Sequence, residues 1–579
     1  ITQNPSIYNP VTHPEDNAKR RKKVLDNMKK NGHITQSEYD EAMADDVYSR
    51  IQSVNLETST SSPYSYFVDE LIDEILNDLM EQKGYTQTQA YNVLYSGGLS
   101  IYTTQDTAIQ NICDEEINNS ANYPMSISYS ISWAWSVKKT DGTIQNYSEV
   151  DLDYYNRVLL GNSSFKLIFK STEECDALIA AFKQEYLKEG ETEIDENLEY
   201  TIQPQTSFTV MDQKTGYVKA IVGGRGEKTR SLTLNRATST KRQPGSCFKV
   251  LTSYAPALDT AGYTLASTIV DEPFNDVNGR PVSNWWGSSY RGTSTLREGI
   301  RDSMNVVTVK LLTAITPQLG FDYVEDFGIT TLISNKTLDD GSVVSDVNQS
   351  LALGGITYGV TNLELCAAYA TIANGGVYTE PVLYTKVLDH NGKVILESNP
   401  STHTVIKDST AWLLTSAMED VVKSGTGTHC KVDGMSVAGK TGTSSKDNDL
   451  WFAGYTPYLT ATIWAGYDEN APLTNGVFHE DMWSKIVTRI DDVKGYKEDI
   501  GFPAPESVQS ATICKSSGKL AIEGVCPSTT EYFSKGSIPK DQCNIHSRQI
   551  PSTAAASENG GTNTCLLYTS DAADDSLRV

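Results

Sequence analysis

Three short motifs in the chain carry the residue types needed for nucleophilic serine chemistry. They are S-x-x-K at Ser246 and Lys249, S-x-N at Ser303 and Asn305, and K-T-G-T at 440–443. A serine becomes a good nucleophile when a neighbouring base accepts its proton, and a lysine one helical turn away is suitably placed for that. Taken together, the motifs predict a covalent serine site.

Each motif alone is weak evidence, because S-x-x-K occurs five times in the chain and K-[ST]-G three times. Local structure must select among the copies. Ser246 follows a Pro-Gly pair and opens a predicted helix at 246–260, whose first turn supplies free N–H groups for an oxyanion. The rival Ser163 lies in a predicted turn between strands, where residues i and i+3 point to opposite faces.

The K-T-G copies separate in the same way. Lys214 lies in a predicted hairpin turn and Lys423 ends a predicted helix, whereas Lys440 lies in a predicted strand. Strand alternation then places Thr441 and Thr443 on one face and Lys440 on the other, although a site would need all three. A long lysine side chain could still reach the site from beneath, and this point stays open. Gly442 is expected to leave room for a substrate backbone beside the strand.

The pattern of the remaining elements predicts a multidomain α+β protein. A capping box at 35–38 opens an N-terminal helix, residues 115–205 show no chemistry and read as a linker or accessory region, and an acidic helical patch is expected at 185–196. The other predicted elements are helices at 17–31, 63–96, 294–313, 361–374 and 409–423, and strands at 99–104, 208–211, 217–222, 434–443 and 450–467.

The composition narrows the class of protein. The chain has 579 residues and a formal charge of −25, which argues against a nucleic-acid partner because phosphates would repel this surface. Its longest apolar runs fall far short of the roughly 18–20 residues of a membrane span. The chain opens at Ile1 without a starting Met, so we expect a membrane-anchoring segment to be missing from its N-terminus.

Several longer segments resemble the class A penicillin-binding proteins, which are bifunctional peptidoglycan synthases. Those similar to the penicillin-binding half are 236–249, 354–360, 368–376, 437–443 and 451–457. Residues 4–28 resemble the end of that family's glycosyltransferase domain, and residues 97–104 resemble its connector. The resemblance implies a transpeptidase domain of the penicillin-binding and serine β-lactamase type, a sheet flanked by helices, with a helical N-terminal remnant and a β-rich linker.

The resemblance also implies domain boundaries. We expect five parts: a glycosyltransferase remnant at 1–50, a linker or accessory region at 51–205, the transpeptidase domain at 206–500, a Cys-containing segment at 501–550, and a disordered tail at 551–579 whose end resembles a translated sequencing adapter. The chain begins after the part that would hold the glycosyltransferase glutamates, so we do not expect that activity here.

By resemblance, the substrate is the D-Ala-D-Ala end of a peptidoglycan stem peptide, and β-lactams inhibit the enzyme. No cofactor or metal is implied, and the location is the extracytoplasmic face of the bacterial membrane. The implied catalytic residues are Ser246 as nucleophile, Lys249 as base, Ser303 and Lys440 for proton relay, and Asn305; Thr441, Gly442 and Thr443 bind substrate. The alternatives are a D,D-carboxypeptidase or β-lactamase, in which water accepts the acyl group, or a penicillin-binding sensor or scaffold without turnover.

Residues outside the motifs receive no catalytic role. Cys247 is expected to point away from the site, and His429, His479 and Glu480 are expected in exposed loops. Of nine cysteines, only Cys514, Cys526 and Cys543 cluster in the sequence. Free thiols and a disulfide both stay open for these three. A Cys3His zinc site completed by His546 is less favoured, because structural sites space their ligands in tighter pairs.

Overall fold

A computed structural model describes residues 13–49, 63–338, 340–474 and 476–546, together with residues 8 and 10. Within these residues the protein is a multidomain α+β structure, as predicted. The expected disordered tail and its adapter-like end, at 551–579, lie outside the described residues. No described helix is long and apolar enough to cross a membrane.

The N-terminal part of the described chain is helical. Thr35 forms the predicted capping box with Glu38, and Gly32, at φ +76°, follows the first helix in the left-handed conformation expected of a C′ glycine. The elements up to residue 122 are the helices Pro14–Lys30, Gln36–Ala44, Tyr66–Lys83, Gln87–Ser96 and Thr107–Asn118, the strand Ser100–Thr103 and the 3-10 turn Ser120–Asn122.

An accessory unit with its own core follows. Its antiparallel sheet has Ser128–Lys138 between Ile144–Ser148 and Thr192–Gln203, and it packs on the helices Glu149–Tyr154 and Thr172–Tyr186 and the π-helical turn Tyr155–Leu159. Trp133, Trp135 and Phe182 fill the core. The predicted acidic helical patch at 185–196 is wrong beyond Tyr186, because residues from 192 onward pair along the central strand.

A five-stranded antiparallel sheet forms the centre of the next domain. Its strands are β1 (Gln205–Met211), β2 (Val218–Val222), β3 (Ala438–Thr443), β4 (Asp449–Tyr455) and β5 (Thr460–Gly466). The spatial order β3-β4-β5-β1-β2 places β3 at one edge. The predicted hairpin and strands are confirmed, and the predicted 450–467 segment is two strands joined by a turn.

Apolar side chains alternate along the central strands and form a core on each face of the sheet. Phe452 and Ile463 pack with the helices Thr107–Asn118 and Phe478–Lys494 on one face. Trp451 and Trp464 pack on the other face with residues of the helices Asn362–Ala373 and Asp408–Ser424. The sheet is therefore buried on both sides, and its edge strand β3 is held firmly in place.

The helices that carry the first two motifs differ from the prediction in one respect. The helical run from Gly245 to Asp259 is confirmed, as the 3-10 turn Gly245–Cys247, the π-helical turn Val250–Tyr254 and the helix Ala255–Asp259. The single helix expected at 294–313 is wrong. It is two helices, Leu296–Arg301 and Asn305–Ile315, because Ser303 adopts φ +53° and interrupts the chain between them.

The remaining elements are short. They are the helix Pro317–Asp326, the 3-10 turns Gln349–Leu353, Thr428–Cys430 and Ser445–Asp447, and the strands Thr268–Asp271, Phe274–Asn275, Pro281–Val282, Gly292–Thr295, Lys336–Thr337, Val343–Val344, Val377–Thr379, Tyr384–Leu388, Val394–Glu397, Thr402–Thr404, Val508–Cys514 and Ser528–Ser534.

Candidate active site

The first motif lies where the chain turns into a buried helix. Gly245 adopts φ +54°, Ser246 is half-buried in the first turn, and Lys249 is fully buried one turn later. A half-buried hydroxyl in the first turn, followed one turn later by a lysine that solvent does not reach, has the spacing needed for proton transfer between neighbouring side chains.

Lys249 connects the first motif to the second. Its Nζ donates to the carbonyl oxygen of Ser303 at 2.7 Å, to Ser303 Oγ at 3.2 Å and to Asn305 Oδ1 at 2.5 Å. The break between the two helices makes these contacts possible, because it presents the backbone and side chain of Ser303 to the same amine.

Lys440 connects the third motif to the second. It is fully buried on β3, and its Nζ donates to Ser303 Oγ at 2.9 Å and to the carbonyl oxygen of Thr441 at 3.1 Å. Lys440 therefore contacts the second motif directly, although alternation places it on the opposite face of the strand from the two threonines. Ser303 Oγ lies between the amines of Lys249 and Lys440.

Burial weakens the basicity of both amines. Desolvation, with a smaller contribution from the nearby Lys440 charge, places the pKa of Lys249 well below its usual 10.5. Desolvation also lowers the pKa of Lys440, to about 8. A lowered pKa favours the uncharged amine, which is the form in which a lysine accepts a proton as a general base.

The glycine of the third motif packs against the turn that carries Ser246. A Cβ added at Gly442 would lie 2.4 Å from the carbonyl oxygen of Pro244 and 2.8 Å from Cys247 Sγ. The expectation that Gly442 leaves room for a substrate is therefore not the role seen here, since neighbouring protein atoms occupy that space. Cys247 also differs from expectation: it is buried, and its Sγ donates to the carbonyl oxygen of Lys440 at 3.2 Å.

The two threonines of the third motif are more accessible. Thr441 is half-buried and shares a hydrogen bond of 2.7 Å with Thr426 Oγ1, whereas Thr443 is exposed. A Cβ added at Gly245 would lie 2.9 Å from the backbone nitrogen of Thr443. The amide nitrogen of Thr443 is therefore beside the turn that carries Ser246.

Two buried residues that support the site were missed by sequence reasoning. Asn284 Oδ1 accepts from the backbone N–H of Asn305 at 2.9 Å and of Val306 at 3.3 Å, so it caps the helix that begins at Asn305. Asn284 Nδ2 in turn donates to both carboxylate oxygens of Asp271, at 2.9 and 3.1 Å. A single sequence carries no signal for this, because both residues lie well upstream of the motif.

The placement of His479 and Glu480 in an exposed loop is wrong. Both are buried in the first turn of the helix Phe478–Lys494, which packs on one face of the central sheet. His479 makes a hydrogen bond of 3.2 Å to the carbonyl oxygen of Trp451, and desolvation lowers its pKa to about 4. Desolvation raises the pKa of Glu480 to about 7, and the charge of Lys440 opposes that rise. His429 is exposed, as expected.

A cavity of about 820 Å³ lies apart from these residues, between the accessory sheet and the central domain. Its lining includes Glu199, Arg225, Arg230 and Asp468 and none of the motif residues. This cavity is therefore not evidence for the position of the active site, whose assignment rests on the contacts around Ser303.

The fold and the three converging motifs are those of a penicillin-binding transpeptidase domain. Residues 206–471 match the family described as the penicillin binding protein transpeptidase domain, and residues 504–548 match the C-terminal domain of penicillin-binding protein 1A. The chain therefore belongs to the class A penicillin-binding proteins, as its motifs predicted.

Similar proteins agree with this membership. Penicillin-binding protein 1A of Clostridium botulinum strain Hall is 31% identical over 94% of this chain, and that of Clostridium tetani is 29% identical over 94%. The chain spans 59% and 62% of those two relatives, respectively. The crystal structure of penicillin-binding protein 1A from Haemophilus influenzae has the same fold, with a TM-score of 0.57, 19% identity, and coverage of 93% of this chain and 85% of that one.

Proposed function

We propose that the chain is a D,D-transpeptidase that crosslinks peptidoglycan stem peptides through an acyl-enzyme on Ser246. The observation that carries this proposal is the convergence of Lys249 and Lys440 on Ser303 Oγ, with Lys249 one helical turn after Ser246. It provides a base for the nucleophile and a separate route for a proton to the leaving group.

In the first half-reaction, Ser246 Oγ attacks the carbonyl carbon of the penultimate D-Ala and uncharged Lys249 takes the hydroxyl proton. The backbone N–H groups of Ser246 and Thr443 stabilise the oxyanion. Collapse breaks the peptide bond, Ser303 delivers a proton to the departing D-Ala amine, and Lys440 replaces that proton. An ester on Ser246 and free D-Ala result.

In the second half-reaction, an amine of another stem peptide attacks the ester carbonyl and passes its proton through Ser303 to Lys440. The ester bond breaks, an amide bond forms, and Ser246 recovers its proton from Lys249. Asn305 holds Lys249 in place and contacts the substrate amide, and the hydroxyls of Thr441 and Thr443 bind the terminal carboxylate. Gly442 keeps the strand close to the nucleophile turn. A β-lactam acylates Ser246 in the same way, but its leaving amine stays tethered and the ester persists.

The domain boundaries and location form part of the same proposal. The transpeptidase domain covers 206–500, preceded by a glycosyltransferase remnant at 1–50 and a linker at 51–205 and followed by the Cys-containing segment at 501–550. Peptidoglycan lies outside the bacterial membrane, so the enzyme acts at the extracytoplasmic face, attached through an N-terminal anchor in the intact protein. Its relatives' greater length supports this arrangement.

The test is covalent labelling with a fluorescent penicillin, read by intact mass. We expect one adduct on the wild type and none on Ser246→Ala. Ser163→Ala is the matched control, because it alters another S-x-x-K copy that lies in an exposed turn, and it should label like the wild type. A folded wild-type chain that neither retains nor hydrolyses the penicillin would refute the assignment.

Release of D-Ala from a stem pentapeptide, measured with and without an acceptor amine, then separates the alternatives. Incorporation of the amine into the product supports transpeptidation. Hydrolysis that the amine does not divert would instead identify a carboxypeptidase.

A further inference from the structure

The C-terminal segment gathers four metal-binding side chains at one point. The ligand atoms of Cys514, Cys526, Cys543 and His546 all lie within 4.8 Å of one another. His546 Nδ1 is 3.4 Å from Cys514 Sγ and 3.3 Å from Cys543 Sγ. All three of these cysteines carry free thiols. This cluster is separate from the acyl-transfer site.

The spacing fits a tetrahedral zinc ion. With Zn–S near 2.3 Å and Zn–N near 2.0–2.1 Å, tetrahedral angles place sulfur and nitrogen ligands about 3.6 Å apart and two sulfurs about 3.8 Å apart. The two sulfur–nitrogen distances, 3.4 and 3.3 Å, are slightly shorter than the tetrahedral value. The limit of 4.8 Å on the distances among all four ligand atoms is about 1 Å longer than the tetrahedral sulfur–sulfur distance. Small side-chain adjustments are enough to reach the tetrahedral arrangement.

The backbone brings the four ligands together by regular pairing. Cys514 ends a strand and pairs with Ser528, two residues after Cys526. The backbone N–H of Cys543 donates to the carbonyl oxygen of Leu520 at 2.8 Å, which fixes the last loop beside the hairpin. Sequence spacing made a zinc site with these four ligands the less favoured interpretation, because ligands far apart in the chain meet only after the hairpin forms.

A hydrogen bond from the backbone orients one sulfur. Cys526 Sγ accepts a hydrogen bond from the backbone N–H of Ile522 at 3.3 Å. Hydrogen bonds of this kind stabilise a thiolate and hold a metal ligand in position. The ring nitrogen of His546 is close to two different sulfurs. A zinc site accounts for this position of the histidine, whereas a disulfide between two of the cysteines does not require it.

The segment also has a small apolar core. Its own buried apolar core consists of Ile513 and Phe533, packed on Ala266 of the transpeptidase domain. A unit of this size rarely folds on apolar burial alone and usually needs a disulfide or a metal.

We propose that Cys514, Cys526, Cys543 and His546 bind one structural zinc ion that holds the C-terminal hairpin together. The three thiols bind as thiolates and His546 binds through Nδ1, so binding releases the thiol protons to solvent. The site is closed, with four protein ligands and no open position, which is the coordination of a structural zinc rather than a catalytic one.

The experiment measures metal content and thiol state on the full chain, purified under reducing conditions with zinc supplied and then freed of unbound metal. We expect about one zinc per chain by elemental analysis, and close to none for Cys543→Ser. Cys175→Ser is the matched control, because Cys175 is a buried cysteine in the accessory unit, and it should keep the zinc.

Cobalt substitution provides a second measurement that does not depend on how well a variant folds. The wild type should show the visible bands of tetrahedral cobalt bound to three thiolates, and His546→Ala should retain thiolate bands of altered shape and weaker affinity. The proposal is overturned if the folded wild type takes up neither metal. It is also overturned if the chain purified without reductant carries a disulfide among the three cysteines that re-forms in the presence of zinc. Penicillin labelling of Ser246 is read separately, so either proposal can fail alone.

Discussion

Replacing Gly442 by alanine tests how the third motif is held against the nucleophile. The added Cβ would lie 2.4 Å from the carbonyl oxygen of Pro244, where ordinary contact begins near 3.4 Å. The obstacle is backbone, so β3 and the turn that carries Ser246 must separate by about 1 Å. Overpacking of this kind costs about 1–3 kcal/mol, and misplacing reacting groups by 1 Å can reduce a rate about 100-fold.

The assay combines thermal unfolding with the second-order rate of acylation by a fluorescent penicillin. For Gly442→Ala we expect a melting temperature lower by several degrees and acylation slower by about 100-fold. Gly476→Ala is the matched control, because a Cβ at Gly476 meets nothing within 4 Å, and it should change neither quantity.

The two readouts together distinguish packing from substrate clearance. If Gly442 served only to leave room for substrate, the alanine variant would lose acylation while the free enzyme kept its melting temperature. That result would refute the packing argument. Unchanged acylation and unchanged melting would refute both roles.

Three further substitutions test the groups around the site. Asn284→Ala removes the cap of the second motif's helix and should lower stability by about 1–2 kcal/mol and slow acylation; wild-type values in both assays would show that the cap is dispensable. Burial raises the pKa of Glu480 from 4.5 to about 7 in the folded protein. The stability of the wild type should therefore fall as the pH rises from 4.5 to about 7, by up to about 3 kcal/mol relative to Glu480→Gln. Equal pH profiles of the two proteins in calorimetry would contradict this. Glu531→Gln breaks a buried ion pair with Arg297 that joins the C-terminal hairpin to the transpeptidase domain, and it should lower the free energy of unfolding by about 3 kcal/mol in chemical denaturation. The control Glu419→Gln changes an exposed pair and should cost under about 0.5 kcal/mol. Equal losses for the two variants would show that the hairpin is not anchored by this pair.

The sequence was sufficient to predict features set by local patterns. The capping box at Thr35 and the helices 362–373 and 408–424 depend on residues a few positions apart, and the structure places them where expected. The helix at 294–313 failed for a local reason that no pattern reveals. Ser303 adopts a left-handed backbone conformation that residues other than glycine rarely take, and contacts from distant elements maintain it.

Contacts between distant segments explain the other differences. Glu480 and Asn284 belong to unremarkable local sequence, and only the packing of the helix 478–494 and of the loop before the second motif buries them. The contact of Cys247 cannot be predicted from its neighbours in sequence, because it depends on the backbone of β3, 193 residues away. Close approach between distant segments depends on how the core is packed, and the spacing of residues along the sequence does not reveal it.

The position of β3 at the edge of the sheet explains how one strand can serve the site from both faces. Alternation does place Lys440 on the opposite side from the two threonines, and that expectation is correct for the strand itself. Lys440 and Gly442 lie on the same face of β3, where Lys440 contacts Ser303 and Gly442 packs against the Ser246 turn. Thr441 and Thr443 lie on the other face, and Thr443 stays exposed at the edge that no further strand covers. A central strand, paired on both sides, could not bring these groups together.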